Sequence, residues 1–109
     1  MGLSAFLKGG EYEAAASEIM NSDISTELSA PLVAKHLVYQ VAQGYDKVCA
    51  ARGKPESIEK AQELMSLFWK ALLEDLTAKG VKIDNKEEAM SEAERMSTQV
   101  LVDSGEYQA

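Results

Sequence analysis

The stretch that most constrains the fold is Lys54 to Val81, KPESIEKAQELMSLFWKALLEDLTAKGV. Set at about 100° per residue, Ile58, Ala61, Leu64, Met65, Phe68, Trp69, Leu72, Leu73 and Leu76 fall within half a helical circumference. Leu67 and Ala71 widen that arc, and Glu59, Glu63, Ser66, Lys70, Glu74 and Thr77 share the remaining face. A helix resting on one neighbour needs an apolar stripe only a little over about 100° wide. The surplus predicts either two or three covering helices or a second chain over part of the arc.

The ends of this helix are marked. Pro55 suits the first helical position, where its missing N–H costs nothing, and Glu56 and Glu59 put negative charge near the positive end of the dipole. At the far end, Lys79-Gly80-Val81 predicts a left-handed Gly80 with Val81 folding back onto Leu76. Helix is expected over 55–79, as the central element of the core. Phe68 and Trp69 read more simply as core filling than as a ligand cradle.

The rest of the chain is helical in pattern. Residues 1–10 form an arm, broken by Gly9-Gly10, in which Leu3, Phe6 and Leu7 make at most one turn. Residues 11–20, EYEAAASEIM, predict a short helix too marginal to stand undocked. Ser22 or Asp23 is placed to cap a further turn over Ile24 to Leu28. A long helix is expected over 30–51, with Val33, Leu37, Val38, Val41, Ala42, Tyr45, Val48 and Cys49 on its apolar side. Gly44 lies at the edge of that side, where a bare backbone admits a close neighbour. The short turn at 52–54 makes this helix and the next antiparallel neighbours. A last helix over 86–103 starts at an Asp84 or Asn85 cap, with Glu87 or Glu88 three residues on, and residues 105–109 read as tail. The expected fold is all-α: one domain over 1–109, an antiparallel bundle of three long helices and one short helix.

Charge and composition narrow the function. The net charge is −7, with residues 9–28 and 84–109 each at −5. Such a chain repels phosphate backbones, which argues against direct nucleic-acid binding. A single cysteine, Cys49, permits no internal disulfide, and no apolar run approaches a membrane span. The first residues lack a secretory signal, and Phe6 stands where a myristoylation pattern wants Ser or Thr. A cytoplasmic protein without membrane contact is expected.

Catalytic and metal chemistry find little support. No Cys-x-x-Cys, His-Glu-x-x-His or calcium-loop spacing occurs, so no metal or cofactor is expected. His36 and Cys49 lie on opposite sides of one helix, about 20 Å apart along its axis, so no dyad forms. Arg52-Gly53-Lys54 is the one glycine-bearing helix entry with two cations, and it lacks a phosphate-loop pattern. Glu87, Glu88, Glu92 and Glu94 fall outside the apolar stripe and read as solvated acids rather than an acid–base pair.

What remains is contact chemistry. His36, Tyr39, Gln40 and Gln43 share a stripe expected to face solvent, and Leu67 and Trp69 sit where a second chain would cover the surplus arc. The expectation is a non-enzymatic helical module that binds another protein, as adaptor or inhibitor, with a homodimer as one form of it. Two other readings stay open. One is a bundle holding an apolar small ligand among Met65, Phe68, Trp69, Met90 and Met96. The other is an acidic decoy that occupies a nucleic-acid-binding protein.

Overall fold

The computed structural model describes residues 2–23 and 26–107. Five helices follow in order: α1 (Leu3–Leu7), α2 (Glu11–Met20), α3 (Ala30–Arg52), α4 (Ile58–Ala78) and α5 (Lys86–Asp103). The class is all-α, and the three long helices are those that the apolar periodicity marks. Two two-residue strands, β1 (Glu27–Leu28) and β2 (Lys82–Ile83), pair in parallel. The periodicity gave no sign of them. In the expected turn over Ile24 to Leu28, residues 24 and 25 lie outside the described residues, and Glu27 and Leu28 are strand.

The helix limits follow from local chemistry. Ser29 accepts the Leu32 N–H at the head of α3, and Asn85 accepts the Glu88 N–H at the head of α5. At α4 the cap is Ser57, whose hydroxyl accepts the Lys60 N–H. The helix therefore begins at Ile58 and not at Pro55: a serine oxygen that satisfies an orphan donor outweighs a proline that merely tolerates the position. The other end of α4 is as expected. Gly80 adopts φ 92°, and the Val81 N–H donates to the Leu76 carbonyl at 3.1 Å.

The central element is α3, not α4. It packs against each of the other four helices. Eight of its residues, Ala30, Val33, Ala34, Leu37, Val38, Val41, Ala42 and Tyr45, are at most 1% exposed. By contrast α4 buries only Ala61, Met65, Trp69 and Leu73 fully, against α3 and α5. The reason is size: alanines and valines on α3 let neighbours approach on several sides, whereas the bulky side chains of α4 fill space on one.

Leu3–Leu7 and Tyr107 both dock on the bundle. In α1, Leu3 and Leu7 are buried, and the Leu3 and Ser4 N–H groups donate to Asp46 of α3 at 2.7 and 3.0 Å. The arm is thus tied down by a carboxylate that caps a helix 42 residues away in sequence. Residues 105–107 are not a free tail either. Tyr107 donates its hydroxyl to the Pro55 carbonyl at 2.6 Å, lies near the Tyr45 hydroxyl at 3.5 Å, and carries Lys54 over its ring. Gly105-Glu106-Tyr107 carries no period or motif that signals that anchor.

Candidate interaction surface

The outer face of α4 is where the fold leaves apolar surface uncovered. Ile58, Leu64, Phe68, Leu72 and Leu76 are only half-buried, and Leu67 is 70% exposed. Among the described residues the other exposed large apolar side chains are Phe6, in the short α1, and Met20, at the last position of α2. Only Leu67 stands in the middle of a long helix. Two covering helices, α3 and α5, are thus too few for the arc that the sequence lays down.

Around Leu67 the exposed residues are Lys60, Glu63, Lys70, Ala71 and Glu74. With Leu67, the four charged residues recur at intervals of three and four, so they line one straight stripe about 20 Å long with Ala71 at its flank. None of these four charges makes an ion pair among the described residues. Lys70 lies 5.7 Å from the centroid of the Trp69 ring, at the edge of the core. On one side of the stripe a groove runs toward α5, lined by Glu59, Gln62, Ser66 and Glu94, and Gln62 bridges to Thr98 across it at 2.8 Å.

The stripe on α3 does not face solvent as expected. His36, Tyr39 and Gln40 are half-buried, and Gln43 alone is exposed. The Tyr39 hydroxyl donates to Glu13 of α2 at 2.9 Å, and Lys35 approaches Glu11 at 4.0 Å. The short helix α2 folds back over this side of α3, a tertiary event that a single-helix projection cannot contain. Burial holds the His36 imidazole below its ordinary pKa, and its buried Nδ1 has no hydrogen-bond partner among the described residues.

Trp69 is only 3% exposed and belongs to the hydrophobic core, so no second chain reaches it in this fold. Met65 and Met96 are buried with it, while Phe68 and Met90 pack against the same cluster. The side chains named for an apolar ligand site therefore serve as core. A depression of about 130 Å³ between α1 and the end of α5 is lined by Gly2, Leu3, Ala5, Phe6, Ser104 and Glu106, none of them in that set.

Cys49 is half-buried, and burial raises its thiol pKa, so the sulfur is protonated at neutral pH. Its neighbours are Tyr45, whose phenol burial also drives upward, and the docked Tyr107. That setting suppresses a thiolate rather than generating one. Among the described residues no group of three His, Cys, Asp or Glu is placed to hold a metal ion. No helix among them is long and apolar enough to cross a membrane.

The chain matches no protein-family model, no curated protein and no solved structure.

Proposed function

We propose that the protein is a non-enzymatic helical interaction module, an adaptor or inhibitor that binds another protein through the outer face of α4. The observation that carries this reading is Leu67, 70% exposed at the centre of a helix whose other large apolar residues form or flank the core. An exposed leucine ringed by mixed charges has the make-up of a contact patch: an apolar centre that gains from burial and a polar rim that sets orientation. Its alternating signs, Lys60, Glu63, Lys70 and Glu74, also separate it from an acidic decoy, which needs a run of like charge. A half-buried, protonated lone thiol is compatible with a reducing compartment, and a cytoplasmic location is part of the proposal.

The test compares the full chain with its Leu67→Lys variant as immobilised baits in extract of the native host. Circular dichroism first establishes that both are folded. Proteins held by the parent and lost by the variant support the reading. Identical retention by both baits, or loss only on substitution of Gln43 on α3, moves the contact surface away from α4 and overturns it.

A further inference from the structure

We infer that the α4 face is self-complementary and joins two copies of this chain antiparallel about a two-fold axis at Leu67. The inference rests on the proposed role of that face and names its occupant. It comes from the order of the exposed residues. Read forward, the stripe is Lys60, Glu63, Leu67, Lys70, Glu74; read backward, every charge changes sign about Leu67.

In an antiparallel pair centred on Leu67, Lys60 faces Glu74 of the second copy, and Glu63 faces Lys70. Leu67 meets its own equivalent on the axis. Leu64 faces Ala71 on the opposite flank. The midpoints of all three pairs fall on Leu67 or within half a residue of it. The flanks are consistent too. On the helical projection Glu63 and Lys70 lie to one side of Leu67, and Leu64 and Ala71 to the other. A two-fold axis normal to the plane of two helices keeps each flank with its like, so Glu63 and Lys70 meet on one side and Leu64 and Ala71 on the other, while Lys60 and Glu74, seven residues either side of Leu67, meet along the seam line itself. This is the arrangement of an antiparallel coiled coil, with Leu64, Leu67 and Ala71 in the seam and Glu63 and Lys70 as its flanking pairs.

Charge also selects this face. The chain carries −7 overall, so two copies repel at most approaches. The stripe holds two lysines and two glutamates and is neutral, and among the described residues none of the four charges has an ion-pair partner. The exposed pairs fix register more than they add affinity. One helix pair buries less than about 1,200 Å², the low end for specific association. The dimer is therefore weak and forms with rising concentration.

Sedimentation equilibrium of the full chain over a wide concentration range, with disulfide cross-linking, tests this. The mass is expected to rise toward twice that of the chain, and Leu67→Lys to stay monomeric. Lys60→Glu alone is expected to weaken association roughly tenfold, and adding Glu74→Lys to restore it. In a Cys49→Ser background, Leu67→Cys is expected to form a disulfide dimer on oxidation. Lys60→Cys and Glu74→Cys are expected not to, because each would lie about 20 Å from its own copy. A mass that stays monomeric, a dimer indifferent to Leu67→Lys, or cross-linking at all three positions overturns the two-fold arrangement. If the chain stays monomeric while Leu67→Lys still abolishes capture of another protein, the face is right and the occupant wrong. If both fail, the reading of the face fails with them.

Discussion

The Asp84 carboxylate accepts the Ala30 N–H at 2.8 Å, across 54 residues of sequence. In the same place the Asp84 N–H donates to the Leu28 carbonyl at 2.9 Å, next to the parallel pairing of Glu27–Leu28 with Lys82–Ile83. The entry to α3 and the connection between α4 and α5 are thus fastened together. Asp84 acts as a helix cap delivered from a remote segment, beside the local cap from Ser29.

Asp84→Ala is expected to cost about 1 kcal/mol, the usual worth of a capping side chain. Urea denaturation checks the magnitude. Hydrogen exchange checks the mechanism: protection at Ala30 and at 82–84 should fall together, while α5 beyond its first turn keeps its own.

Gly44 gives a prediction of opposite sign. A Cβ built there would sit 3.5 Å from the Phe68 ring, which is ordinary contact. The close approach that the sequence suggested does not demand glycine. Gly44→Ala is therefore expected to stabilise by roughly 0.5–1 kcal/mol through helix propensity. A raised thermal midpoint bears this out; a lowered one means that Phe68 cannot accept the methyl group.

The pH dependence follows from His36. Its folded-state pKa lies below the ordinary value of 6.5 because burial disfavours the imidazolium. The unfolded chain then binds a proton that the folded chain refuses, so stability falls as pH drops through about 6.5. Denaturation midpoints between about pH 7.5 and 5.5 should decline in the parent and flatten in His36→Gln.

Tyr107→Phe removes the hydroxyl that binds the Pro55 carbonyl. The expected loss is about 1 kcal/mol, with faster proteolysis between α3 and α4. Unchanged stability would mean that ring contacts with Lys54 and Tyr45 suffice to hold the segment.

The sequence made the helices legible and their neighbours illegible. The limits of α2 and α5 matched residue for residue, α3 ran one residue longer, and the Gly80 ending of α4 followed from Lys79-Gly80-Val81, because caps and periodicity are local. Which helix lies at the centre is not local. Trp69 and Phe68 drew attention to α4, yet Ala34, Val38 and Ala42 give α3 more neighbours by being small. Leu67 was marked as a widening of the arc, and its exposure follows from having two covering helices instead of three. The half-burial of Tyr39 comes with α2 folding back, where Glu13 takes its hydroxyl, and the docking of Tyr107 depends on a turn made only after α5 ends. Neither leaves a period or a motif.

Because α3 touches every other helix, its burial has a temporal consequence. During synthesis α1 and α2 emerge early enough to shield one flank. The flank that meets α5 stays bare until α5 leaves the ribosome. For that interval the nascent chain displays valines and leucines destined for a position at most 1% exposed, and a holding chaperone would find its footing there.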